Sequence, residues 1–231
     1  MSNYTSEEAL SNRTNNKFST WHKEINGKKD EHCASKRVLE DYLQVSINPS
    51  FKFNAEDPIF TMGSCFARRL ENILHKKGNN VPMYRDMLKN KDIFENSTSF
   101  NKYNTYSMLY ELLWVLEEEK YEQEYSIIEV GKDKFMDLQS VPGDFNLNSY
   151  ENILKRKEKV FSLTRNVIDA KVITLTLGLN EVWFDKKTQR YLNITPDIKF
   201  AKKDSNRFEL RILSADGASF IIETFLSNYH I

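Results

Sequence analysis

Cysteine occurs only at Cys33 and Cys65 in the 231 residues, without C-x-x-C spacing, so a disulfide scaffold and a zinc knuckle are both excluded and two free thiols are expected. Net charge is also missing. The 33 Lys and Arg balance the 33 Asp and Glu, which leaves no overall field to gather nucleic acid or an anionic membrane surface. No run approaches the roughly eighteen apolar residues that span a bilayer, and the polar start MSNYTSEEALSNRTNN has no apolar signal segment, so a cytoplasmic protein is expected. Neither G-x-G-x-x-G nor a P-loop is present, and no His, Cys or Asp cluster has ligand spacing. No cofactor and no metal are expected.

What the chain has is apolar surface. Hydrophobic residues make up 40% and aromatics 13%, with 15 Phe and 11 Tyr, enough for a core despite a mean hydropathy of -0.60. The length suits one main domain, since domains usually run to about 100–200 residues. Residues 1–36 are polar, with Phe18 and Trp21 as the bulky anchors, and read as a loosely attached arm closed by a short helix over 35–45. The arm is bounded at 1–49 and the main domain at 50–231.

Within that domain, Pro58 to Met62 reads as a strand, followed by helical spacing of Phe66, Leu70, Ile73 and Leu74. The polar stretch from Gly78 to Asn104 reads as a long surface connection. A helix is expected over 107–118, then a hairpin or loop over 124–148 with a turn at Val141 to Asp144, and a second helix over 150–168. Lys171 to Gly178 reads as a buried strand ending at a glycine, which makes a helix-then-strand unit of the parallel-sheet kind. A hairpin turning at Asp185 to Gln189, a loop with Pro196 and a final weak helix over 216–226 complete the pattern.

Two segments carry candidate chemistry. Gly63-Ser64-Cys65-Phe66-Ala67 lies where strand gives way to helix, so glycine permits the turn and the helix N–H groups and dipole would stabilise an oxyanion beside Ser64. Ser64 also fits an ordinary helix N-cap. Cys65 is a competing nucleophile at a helix start, or packs inward as a small apolar residue. In Thr176 to Trp183, just past the second strand, Asn180 is either a turn residue or a donor facing the space in front of Ser64, since groups at strand carboxyl ends line the ligand crevice of an open parallel sheet.

The pentapeptide GSCFA with the block Pro58 to Leu74, followed by TLGLNEVW at 176–183, resembles the GSCFA family of SGNH-type (GDSL-like) serine hydrolases. The resemblance implies an α/β fold, an SGNH-like (flavodoxin-like) three-layer parallel sheet with helices. It implies Ser64 as nucleophile and Asn180 as oxyanion donor. Glu181 then caps or orients its loop, and Trp183 is an apolar wall or core. The superfamily's intermediate block supplies a glycine N–H. The matching stretch Phe100 to Thr105 has no glycine, so Asn101 or Asn104 would take that role through a positive φ or a side-chain amide.

The superfamily's base is a histidine three residues after an aspartate. Here His22, His32, His75 and His230 follow Ser19, Lys29, Asn72 and Ser227 at that spacing. The expectation is a domain partial at its C-terminal side, with a sheet edge left for a partner chain to cover. The function implied is an acyl-ester hydrolase or O-acyltransferase acting on an acyl ester, with acylated carbohydrate as one substrate class. The alternative is a non-catalytic binding protein.

Overall fold

The computed structural model describes residues 5, 10–11, 14–18, 20–40, 49–90, 93–94, 97–117, 119–141, 149–204 and 206–229. The chain divides into two compact units, Met1–Lys52 and Phe53–Ile231. In the first, β1 (Glu24–Ile25) and β2 (Lys28–Lys29) form an antiparallel hairpin. Asn26 and Gly27 turn it with φ of 53° and 74°, the pair of positive values that a tight two-residue hairpin requires. A single helical turn follows, α1 (Ala34–Arg37), where a longer helix over 35–45 was expected; residues 41–45 of that expectation lie outside the described set. The Arg37 guanidinium covers the Phe18 ring at 4.7 Å and donates to the His32 carbonyl, while Cys33 is buried beside them. The arm therefore has a small folded nucleus of its own. The Trp21 side chain, expected as an anchor, is exposed.

The second unit runs in chain order through β3 (Ile59–Gly63), α2 (Cys65–Lys76), α3 (Pro82–Lys89), a 3-10 turn (Ser97–Phe100), α4 (Thr105–Val115), β4 (Ile127–Gly131), β5 (Lys134–Asp137), α5 (Tyr150–Thr164), β6 (Val172–Thr176), β7 (Glu181–Asp185), β8 (Arg190–Tyr191), α6 (Ile198–Lys203), β9 (Phe208–Ile212) and α7 (Ala215–Tyr229). Strands β3 and β6 pair in parallel, Ile59 opposite Val172 through Gly63 opposite Thr176. One face of the pair carries Phe60, Met62, Ile173 and Leu175 into a core with Met83 and Met87 of α3, Met108 and Leu112 of α4, and Val160 and Leu163 of α5. The opposite face carries Thr61 to α2.

The region 78–104 was expected to be a surface connection. Instead α3 begins on Pro82, which suits the first turn of a helix, and the Phe94 and Phe100 rings meet at a tilt in the core, 4.9 Å apart. A second core joins the hairpin β4–β5 to β9 and the segment after β8 through Ile128, Met136, Leu192 and Phe208, with Trp183 of β7 and Phe200 of α6 packed against it. Strand β9 carried no expectation at all.

The expected three-layer, flavodoxin-like parallel sheet does not form among the described residues. There are four small sheets, ordered β1-β2, β3-β6, β4-β5 and β8-β7-β9, and only β3-β6 is parallel. The reason is connectivity. A parallel neighbour needs a long crossover that returns the chain in the same direction. The stretch from Ser64 to Lys171 provides one for β3 and β6, but β4 turns straight into β5 through Asp133 at positive φ. Past β6 the chain bends at 177–180 into β7, which pairs antiparallel with β8 and β9. Among the described residues no helix is long and apolar enough to cross a membrane.

Candidate functional site

Ser64 sits at the carboxyl end of β3, on the turn into α2. Its φ and ψ of -73° and -168° are extended, its Oγ accepts the Phe66 N–H at 3.3 Å, and its carbonyl accepts the Ala67 N–H. It is thus the N-cap of a 12-residue helix, half-buried, at the positive end of the helix dipole. Gly63 makes the approach possible. Its φ is +146°, and a Cβ there would lie 1.9 Å from Thr176 Oγ1 and 2.6 Å from the Thr176 carbonyl. No side chain fits between the ends of β3 and β6.

A third segment closes on the same edge. Asn101 bridges Gly63 from the side of β3 away from β6, and the Lys102 N–H donates to the Gly63 carbonyl at 2.8 Å. Tyr103 then meets the segment after β6: its carbonyl accepts the Leu179 N–H at 2.8 Å, and a Cβ on Gly178 would lie 2.6 Å from that same oxygen. Segments 63–64, 101–104 and 176–180 therefore meet at the carboxyl edge of the parallel pair. Asn180 is exposed, with its backbone pinned by Leu179 on one side and by the Leu213 N–H donating to its own carbonyl on the other.

The sequence profile of the GSCFA family matches residues 58–230, from the start of β3 to the far end of α7. The chain belongs to the GSCFA family. No curated protein and no solved structure matches it. The GSCFA pentapeptide is the turn just described, with Gly63 forced by β6 and Ser64 capping α2.

The two asparagines of the middle segment differ in what holds them. Asn104 is the N-cap of α4: its Oδ1 accepts from the Ser107 N–H and Oγ, and its Nδ2 donates to the Leu192 carbonyl. Asn101 is buried, and its Nδ2 makes one long contact, 3.5 Å, to the Tyr103 hydroxyl. Neither has a positive φ, so any donor from them is a side-chain amide or an ordinary N–H.

Cys65 was expected to pack inward and is exposed. His75 lies at the opposite end of α2 from Ser64, against the Tyr84 ring at 5.4 Å. His22 and His32 belong to the first unit, and His230 lies outside the described residues.

Polar residues that the sequence reading passed over support the GSCFA turn from below. Thr61 Oγ1 donates to Glu71 Oε1 at 2.5 Å, Arg68 Nη2 donates to the Thr61 carbonyl at 2.9 Å, and Arg68 pairs with Glu71 at 3.0 Å. Burial pushes the Glu71 carboxyl up to about 7, against the pull of Arg68 and of the Thr61 hydrogen bond. Burial also lowers Arg68, against the pull of Glu71. Lys102 pairs with buried Glu111, which also accepts from Thr164 Oγ1.

Asn193 clamps the middle segment, accepting from the Tyr103 N–H and donating to the Asn101 carbonyl at 2.8 Å. Spacing does not reveal these contacts, because the partners lie far apart in sequence. Asn104 is the exception: Asn-Thr ahead of an apolar run is a readable helix-start signal.

Proposed function

We propose that the chain is an acyl-ester hydrolase or O-acyltransferase in which Ser64 is the nucleophile, and that the GSCFA family shares its chemistry with SGNH-type serine hydrolases. The observation that carries this reading is the meeting of Ser64, Asn101 and the Asn180 loop at one strand edge, enforced by Gly63 and Gly178. In the step proposed, Ser64 Oγ bonds to the ester carbonyl carbon, and the C=O pair moves onto oxygen. A base takes the serine proton, and collapse of the intermediate expels the alcohol with a proton, leaving an acyl-serine for water or an acceptor hydroxyl. The helix α2 N-terminus and the Asn180 amide stabilise the oxyanion. Asn101, rather than the fully engaged Asn104, is the second amide donor.

A second reading is a binding protein that keeps the crevice without the reaction. The engagement of Ser64 Oγ as helix cap favours it, as does the position of His75 at the remote end of α2. The two readings separate in one experiment. The purified chain is incubated with p-nitrophenyl acetate beside Ser64→Ala, Asn180→Ala and His230→Ala, with turnover and the mass of an acyl adduct on Ser64 as readouts. The hydrolase reading expects a Ser64 adduct, background rates in S64A and a loss of about 10²-fold or more in N180A. Equal loss in H230A identifies the base. No adduct, and turnover insensitive to all three changes, removes Ser64 as the nucleophile and leaves the binding reading standing.

A further inference from the structure

A cleft of about 370 Å³ opens beside the Asn180 loop, on the side where β7 and β9 pair. Its walls are Tyr103, Leu179, Trp183, Leu210 and Ile194. Trp183 and Leu210 are register partners across β7 and β9 and stand on one face of that sheet. Leu179 and Leu210 are 61% and 51% exposed, well above what a core residue shows, so this part of the lining faces solvent, while Ile194 forms a buried floor that belongs to the second core. Its size falls at the small end of ligand sites, which run to about 300–1,000 Å³.

The two buried amides of the lining, Asn104 and Asn193, are already taken by the protein, while the Thr195 side chain lies exposed at its edge. Asn104 caps α4 with its Oδ1 and holds the Leu192 carbonyl with its Nδ2. Asn193 accepts from the Tyr103 N–H and donates to the Asn101 and Gln139 carbonyls. A sugar bound here would lose water and find those amides engaged, a cost of roughly 1–3 kcal/mol for each polar group left unpaired. An alkyl chain loses nothing of that kind. Glu181 is the charged residue of the lining and stands at its exposed end, next to Asn180, which disfavours an anionic ligand and suits a neutral ester.

We propose that this cleft is the acyl subsite: it takes the apolar chain of a neutral ester whose carbonyl lies at Ser64 and Asn180. The proposal rests on the Ser64 reading for the carbonyl's position, and on the cleft alone for the chain. The contact that joins them is the Leu179 N–H to the Tyr103 carbonyl, because both residues wall the cleft while Gly178 and Asn180 flank Leu179 on the site side.

Two measurements test it. In the S64A variant, which cannot form an acyl-enzyme, 1-octanol is expected to change tryptophan fluorescence saturably. Trp183→Phe removes the response, and Leu210→Asp or Leu179→Asp weakens it at least ten-fold, both leucines being exposed enough to change without unfolding the sheet. With the unaltered chain, kcat/KM for p-nitrophenyl esters from acetate to octanoate is expected to rise up to about four-fold for each methylene that enters the cleft, and L210D to collapse the octanoate-to-acetate ratio.

A flat chain-length series with Ser64-dependent acetate turnover overturns the subsite and leaves the hydrolase reading standing. Saturable, Leu210-dependent octanol binding without turnover of any ester supports the apolar cleft and removes the hydrolase reading. A response to methyl glucoside but not to octanol overturns the proposal. So does an absent octanol response in a chain that L210D converts from dimer to monomer, since the cleft is then covered by a second copy.

Discussion

Strands β3 and β6 lie side by side in one parallel register, yet every residue of β3 is buried and every residue of β6 is only half-buried. Of their sequences, Ile-Phe-Thr-Met-Gly and Val-Ile-Thr-Leu-Thr, the half-buried β6 is the one richer in β-branched residues and better suited to a strand. The difference lies in their neighbours. β3 has β6 on one edge and Asn101 on the other, with α2 anchored over Thr61. β6 is paired along one edge only among the described residues. A strand's burial belongs to its place in the sheet as much as to its residues, and it is the enclosed strand that delivers Ser64.

The sharpest way to break this pairing is at its carboxyl end. Gly63→Ala puts a methyl group where Thr176 already stands and forces a positive φ on a residue with a Cβ. A loss of about 5 kcal/mol is expected in urea unfolding, at the extreme of single-site effects. A loss under about 1 kcal/mol would mean that the two strand ends are not in contact.

Core truncation compares the strands directly. Phe60→Ala on β3 is expected to cost about 4 kcal/mol and its register partner Ile173→Ala on β6 about 2 kcal/mol, because the half-buried site loses less contact and leaves a smaller cavity. Equal losses by denaturant titration would show that β6 is as enclosed as β3 in solution.

The third comparison uses pH. Burial lifts the Glu71 carboxyl from 4.5 to about 7 in the folded chain, so between these values the folded state keeps a proton that the unfolded chain releases. The contribution of Glu71 is fully present below about 4.5 and is lost as pH rises through about 7, a change on the order of 3 kcal/mol. Urea midpoints for the unaltered chain and Glu71→Gln should therefore converge at low pH and separate in favour of the glutamine toward neutrality. A pH-independent difference would mean that Glu71 stays ionised against Arg68 throughout.

Much of this was legible locally. The strand-turn-helix from Ile59 to Lys76, the helices at 105–115 and 150–164, the tight turn at 185–189 and the late helix all follow from apolar period and turn residues within a few positions of each other. The GSCFA and TLGLN segments stood out through their resemblance to a family, since local pattern alone left Ser64 an ordinary helix cap and Asn180 a turn residue.

The misreadings have one cause. On α2, Phe66 and Ile73 set the apolar period but are exposed, while Arg68 and Glu71 of the same helix are buried against Thr61. Arg68 and Glu71 form an i,i+3 ion pair within the helix, but the Thr61 hydroxyl and carbonyl that receive them lie on β3 and are not visible from the helix alone. The 78–104 stretch looked like surface because its Met and Phe residues are spaced among polar ones, and only the fold shows them meeting α4 and α5.

The sequence by itself determined the strand-turn-helix from Ile59 to Lys76, the helices at 105–115, 150–164 and 215–229, which family the chain belongs to, and that glycine precedes the serine at a strand-to-helix turn. The tertiary structure decided that glycine is required there because Thr176 presses against it, and that Asn104 is a cap while Asn101 stays lightly held. It also decided that most strands pair antiparallel and that an apolar cleft opens beside Asn180. The first set depends on neighbours along the chain. The second depends on segments tens of residues apart, whose pairing leaves no periodic mark in either partner.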